Sequence, residues 1–189
     1  STFGKPVNTD PLLLTNPDLN HIDHRMLVTA YANANINYMQ EKLGSGDIFD
    51  QISFAAKKNT VMVGYFPPLV AKFQKEGIKV SAFDQQKEYD DLIPLSELKS
   101  YLNEADCVIM TSTTLINSSF AGLLSQLKSG TEVFLLGPST TLSPRIRNEY
   151  HLSGQFGMIF NPYDFEVLEI ISKGLGTQSF SKKGKKVSL

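Results

Sequence analysis

Between Thr60 and Pro162, short apolar runs alternate with segments whose apolar residues recur at helical spacing. Thr60–Val63, Lys79–Phe83, Cys107–Met110 and Glu132–Leu136 read as strands, and Gly157–Phe160 as a weaker fifth. Leu69, Val70 and Phe73 mark one helix face; Leu95, Leu98, Leu102 and Ala105 mark a second; Phe120, Leu123, Leu124 and Leu127 a third. Pro67 and Pro68 suit a first helical turn, where the missing N–H has no intrahelical partner anyway. Ser143 and Pro144 form an N-cap and N1 pair for a short helix, and Tyr163–Lys173 is a last helix closed by Gly174. Runs such as Val133-Phe134-Leu135-Leu136, apolar at every position, suit a sheet covered on both faces. The expected fold class is therefore α/β: a Rossmann-like three-layer domain with a mainly parallel sheet of about five strands, preceded by a helical segment.

On this pattern the chain divides into residues 1–57, irregular and then helical, residues 58–180, the Rossmann-like domain, and residues 181–189, a basic tail. Asp23 is placed to cap a helix reaching about Lys42, with Ala30, Ala32 and Ala34 allowing close packing. Asn33 and Asn37, one turn apart, point to one side of it. Gly44-Ser45-Gly46 breaks that helix, and Asp47 is placed to cap a short one before the first strand. Lys182, Lys183, Lys185 and Lys186 read as a frayed, solvated end.

Composition narrows the classes of partner. Hydrophobic residues at 41% and charged ones at 20% exclude wholesale disorder, and a net charge of −1 provides no field for nucleic acid. No apolar run approaches the roughly 20 residues that cross a bilayer, and Ser1–Pro6 does not resemble a secretory signal. A cytoplasmic protein without nucleic-acid or membrane partners is expected. Cys107 is the only cysteine, which excludes intramolecular disulfides, and its place at a strand start reads as inert core. His21 and His24 have metal-ligand spacing but no evident third ligand, and His151 has no sequence partner for a triad.

Chemistry is expected at the carboxyl ends of the strands, where open α/β sheets bind ligands. Three segments converge there: Gly64, Tyr65, Phe66 and Pro67; Thr111, Ser112, Thr113, Thr114 and Asn117; and Gly137, Pro138, Ser139 and Thr140. Each leads toward a helix N-terminus, where unpaired N–H groups favour an oxyanion. A single Ser or Thr there is more often a cap than a ligand contact, so the density of hydroxyls as a group carries the expectation. Asp84, 20 residues past Gly64, stands where an acid either holds ribose hydroxyls or is solvated at the surface, and Asn33 on the helical preface points toward the neighbouring domain or a ligand. No G-x-G-x-x-G or Walker A motif is present, and Tyr65 and Phe66 would obstruct a pyrophosphate, so ordinary NAD or ATP binding is disfavoured and no cofactor is assigned.

Val61–Pro67, Ala105-Asp106, Thr111–Asn117 and Leu136–Thr140 with the trailing Ser143-Pro144 resemble, in order and spacing, the C-terminal domain of the putative heavy-metal chelation family. Ala30–Ala34 is similar to the Ala-rich helix that precedes that domain. The resemblance implies a Rossmann-like domain behind a smaller domain like the N-terminal part of enolases, with the site between the two. Carried onto this chain, the site comprises Gly64, Phe66, Pro67, Thr111, Thr113, Thr114, Asn117, Gly137, Ser139 and Thr140. Two departures stand out: fewer than sixty residues precede the first strand, and Asn117-Ser118-Ser119 replaces the Asn-Gly-Thr of the pattern.

The leading expectation is a protein that binds a small molecule or metal complex, with no residue identifiable as general base or nucleophile. One rival is an enzyme using S-adenosylmethionine or a nucleotide, which rests on the fold and Asp84. Another is a non-catalytic module that meets a partner chain or a second copy of itself.

Overall fold

The computed structural model describes residues 12–86 and 89–189. Its sheet contains β1 (Gly44–Ser45), β2 (Thr60–Val63), β3 (Val80–Phe83), β4 (Cys107–Thr111), β5 (Glu132–Leu136), β6 (Gly154–Ile159) and β7 (Lys185–Ser188). In space the order is β1-β7-β6-β5-β4-β2-β3. The five strands from β6 to β3 are parallel, with Thr60 opposite both Val80 and Cys107. β7 runs antiparallel to β6, and β1 antiparallel to β7.

The helices are α1 (Leu12–Thr15), α2 (Ile22–Met39), α3 (Ile48–Gln51), α4 (Pro67–Lys75), α5 (Leu98–Glu104), α6 (Thr113–Ile116), α7 (Phe120–Leu124), α8 (Pro144–Glu149) and α9 (Phe165–Ser172). Successive side chains of a strand point to opposite faces, so each strand supplies two cores. Met62, Ile109 and Phe134 pack with Ile48, Phe54, Val70 and Phe73 on one face. On the other, Val61, Val108, Met110 and Leu135 pack with Leu102, Phe120, Leu123 and Leu152. The expected α/β architecture, with both faces covered, is the observed one.

Three local expectations change. The sheet has seven strands where about five were expected. Both additions lie at one edge, and one of them is the basic tail: Lys185–Ser188 is not frayed, because it pairs with β6 on one side and β1 on the other. Val187 and Ser188 are buried there while Lys185 and Lys186 face solvent. The weak fifth strand begins three residues earlier, at Gly154, where Phe134 is its partner on β5. The hydroxyl run expected as a loop closes into a one-turn helix, α6, in which the Thr114 hydroxyl donates to the Thr111 carbonyl at 2.7 Å. The irregular start expected for residues 1–20 lies outside the described residues as far as residue 11. Among the described residues no helix is long and apolar enough to cross a membrane.

Local signals account for much of this. Asp47 caps α3, accepting from Phe49 N–H while Asp50 accepts from the Asp47 N–H, a reciprocal capping box. Ser143 caps α8 with Pro144 at its first position. α2 differs: of its 18 residues only Asn37 is buried, and no side chain caps it.

Candidate functional site

β2 leads to β3 on one side of the sheet, while β4 lies on its other side, so the strand order reverses between β2 and β4. Open α/β sheets form a crevice at such a point. β2 is followed by Gly64 (φ 94°), and a Cβ built there would lie 2.6 Å from Thr111 Cγ2. β5, the other neighbour of β4, is followed by Gly137 (φ 134°), where a Cβ would lie 2.9 Å from Ser112 Oγ. Two positive-φ glycines thus flank the end of β4 and let its first two hydroxyl residues fit between them.

The hydroxyls divide by role. Thr113 is exposed and Thr111 half-buried, and their Oγ1 atoms lie 3.0 Å apart. Thr114 is buried and spent on the Thr111 carbonyl. Ser112 Oγ and Thr140 Oγ1 are buried and have no hydrogen-bond partner among the described residues. Leaving a buried hydroxyl unpaired costs about 1–3 kcal/mol, so these loops carry polar groups that the fold does not itself use. Asn117 accepts from Ser119 N–H at 3.1 Å and from the Ser119 hydroxyl at 2.7 Å, an Asx turn that closes the link between α6 and α7.

Around Gly64 the polar groups turn inward. Asp84 accepts from the N–H groups of Tyr65 and Gln86, each at 2.8 Å, so both its oxygens hold backbone at the ends of β2 and β3. The Tyr65 hydroxyl donates to Asp91 at 2.7 Å, and its ring stacks on Tyr89 with centroids 4.3 Å apart. Burial, aided by the Asp91 carboxylate, pushes the Tyr65 phenol up to about 12, so it stays a neutral donor. Phe66 and Pro67, both half-buried, lead into α4 as its N-cap and first residue.

The helical preface lies across this edge. Arg25 of α2 donates to the Ile116 carbonyl behind β4. Asn33 donates to the Ser139 carbonyl at 2.9 Å and accepts from the Thr141 hydroxyl, behind β5. Asn37 donates to the Thr140 carbonyl at 2.9 Å and accepts from Leu142 N–H at 2.7 Å. The Tyr38 hydroxyl donates to the Phe160 carbonyl and accepts its N–H, behind β6. From below, buried Gln155 accepts from Ser143 N–H and donates to the Thr141 carbonyl, both at 3.0 Å. α2 therefore bars the carboxyl ends of β4, β5 and β6, while the loop after Pro138 is gripped by amides from both sides.

Of the residues expected at the site, the Gly64, Thr111 and Gly137 segments converge, and Asn33 reaches Ser139. Asp84 and Asn117 instead hold the chain itself. Asn37, Tyr38, Arg25 and Gln155 position this edge and were not among the expected site residues. The one-turn spacing from Asn33 was the only signal for Asn37, and Gln155 had none. A cavity of about 570 Å³ beside Arg147, His151 and Leu189 lies elsewhere and touches none of these loops. Among the described residues no group of three or more His, Cys, Asp or Glu side chains could hold a metal ion; His21 and His24 stand 5.5 Å apart between ring centroids without completing one.

No curated protein matches the chain. Two solved structures share its fold. One, from Pyrococcus horikoshii, is a DUF364 protein of unknown function with 20% identity and a TM-score of 0.79; the match covers 91% of this chain and 71% of that one. The other, a DUF364 protein of unknown function from Desulfitobacterium hafniense, has 23% identity and a TM-score of 0.70, over 88% of this chain and 67% of that one. The model of the same family matches residues 47–189, from the cap of α3 through β7, and the chain belongs to that family, DUF364, described as putative heavy-metal chelation.

Proposed function

We propose that the protein binds a small organic ligand with oxyanion or hydroxyl groups, free or as its metal complex, in the crevice between β2 and β4. The reading rests chiefly on the reversal of strand order at the point where Gly64 meets Thr111, with Thr113 exposed beside it. Thr111, Thr113 and Ser139 would recognise ligand oxygens, and Phe66 would form an apolar wall.

Chelation of a bare heavy-metal ion by the protein's own side chains fits this donor set poorly. Threonine and serine hydroxyls are neutral, hard donors, whereas heavy metals favour thiolate and imidazole. The one thiol, Cys107, is buried at the start of β4, and burial pushes it up to about 12, far from the thiolate form. On our reading the metal of the family description arrives inside an organic chelate, whose outward oxygens meet the hydroxyls.

Thermal shift with free Ni²⁺, citrate and the Ni²⁺–citrate complex tests this. Citrate or its complex should raise Tm, by the equivalent of about 2.7 kcal/mol at 100 times Kd, while free Ni²⁺ should not. The double variant Thr113→Ala with Ser139→Ala should lose most of that response while keeping its ligand-free Tm. Stabilisation by the free ion alone, or an undiminished response in the double variant, would overturn the reading.

A further inference from the structure

At the amino ends of β2 and β3, the opposite end of these strands from the crevice, the sheet and α5 enclose a cavity of about 320 Å³. Val61, Ser81 and Tyr101 line it together with Lys58, Lys79 and Glu104. Ser81 is the only polar residue of β3 and is 9% exposed. Alternation along the strand puts it on the same face as Phe83, whose ring meets Tyr101 of α5 edge-on with centroids 5.3 Å apart. The Ser81 hydroxyl therefore lies on the α5 side of the sheet, where the cavity is, and it has no hydrogen-bond partner among the described residues. A covered strand gains nothing from such a group. Burying an unpaired hydroxyl costs stability, and alanine would occupy the position without that cost.

The charged groups of the cavity are uncommitted as well. Nearby, Lys57 pairs with Glu132 and Lys128 with Asp106, but Lys58, Lys79 and Glu104 make no ion pair among the described residues. The Glu104 carbonyl, at the negative end of α5, accepts from the Asn59 side chain at 3.2 Å and from Lys128 at 2.9 Å. Those two donors offset the repulsion that a helix C-terminus would present to an anion.

We propose that this cavity is a binding site, distinct from the crevice, for a small phosphorylated polyol. Two unpaired ammonium groups suit a phosphate monoester, which is close to doubly charged at neutral pH, and lysine is a common phosphate binder. The Glu104 carboxylate only accepts, so it suits ligand hydroxyls, while the Ser81 hydroxyl both donates and accepts. Val61 and the Tyr101 ring supply apolar surface for the carbon skeleton. A volume of about 320 Å³ stands at the small end of ligand sites, which favours a single sugar-sized molecule over a dinucleotide. The inference does not depend on what the crevice binds.

Titration with ribose 5-phosphate, inorganic phosphate and ribose, followed by amide chemical shifts, tests it. Ribose 5-phosphate should bind with a Kd below about 1 mM, and phosphate or ribose alone at least about 10-fold more weakly. The shifts should centre on residues 58–61, 79–81 and 100–104. Lys58→Ala and Lys79→Ala, both at exposed positions, should each weaken binding about 10-fold. Ser81→Ala should weaken it about 5-fold while leaving the ligand-free Tm equal to or above that of the parent, which a merely structural serine would not do. Thr113→Ala with Ser139→Ala should leave this affinity unchanged, which separates the cavity from the crevice. Absence of binding, shifts centred on residues 111–114 and 137–140, or unchanged affinity in the lysine variants would overturn the proposal. So would equal affinity for inorganic phosphate, or a Ser81→Ala protein that loses Tm and keeps its affinity.

Discussion

Gly64 and Thr111 touch where the sheet reverses its strand order: a Cβ on Gly64 would lie 2.6 Å from Thr111 Cγ2 and 2.7 Å from Thr111 Cβ. No L side chain fits there without displacing the end of β4, and φ at Gly64 is 94°, which also disfavours one.

Gly64→Ala should therefore destabilise the domain by about 2–5 kcal/mol, combining left-handed strain with overpacking. Urea denaturation measures it. Adding Thr111→Ser should recover less than half, because it removes Cγ2 and leaves Cβ in place. Full recovery would mean that the methyl alone makes the contact.

Asn37 tests the grip on the loop after Pro138. Asn37→Leu removes the partners of the Thr140 carbonyl and the Leu142 N–H in a buried setting, and should cost about 2–4 kcal/mol. Asn33→Ala, at a half-buried position that water can reach, should cost less than about 1.5 kcal/mol. Equal losses in chemical denaturation would contradict the assignment of Asn37 as the main anchor.

Asp47 links three elements by capping α3 and pairing with Lys72 of α4 and Lys186 of β7. Burial raises its carboxyl, but the hydrogen bonds and charges of the two lysines outweigh burial and leave it below the ordinary 3.8. Its ionic contribution is thus complete above that value and is lost as pH falls through the depressed one. Asp47→Asn keeps an N-cap oxygen without the charge. It should be less stable than the parent at neutral pH, with the difference shrinking below about pH 4. A difference independent of pH would show that the ion pairs contribute nothing.

Cys107 should be inert in the folded protein. Its thiol is buried and held up at about 12, so an aromatic disulfide reagent at pH 8 should label it only on unfolding. Rapid labelling of native protein would reopen a direct role for sulfur in metal binding.

Much of the fold was legible along the chain because its determinants are local. β2, β3, β4 and β5 lie within one residue of the apolar runs that predicted them, since a strand covered on both faces carries apolar side chains at most positions. Ser143 with Pro144, and Asp47 before α3, announced helix starts because a cap is made within three residues. The gathering of Gly64, Thr111 and Gly137 at one edge followed from the alternation of strands and helices.

What the chain concealed depends on distant partners. Lys185–Ser188 has the composition of a solvated end, and it is a strand because β6 and β1 offer it backbone on both sides. Asn33 and Asn37 lay on one side of a helix by periodicity alone, but their partners stand more than a hundred residues away. Only the folded chain brings those amides onto the Ser139–Leu142 backbone. The sequence by itself determined which segments become strands and helices and which loops carry hydroxyls, because caps and periodicity act over one or two turns. Tertiary structure alone decided that α2 bars three of the strand ends, because that choice depends on backbone groups available only after the sheet has formed.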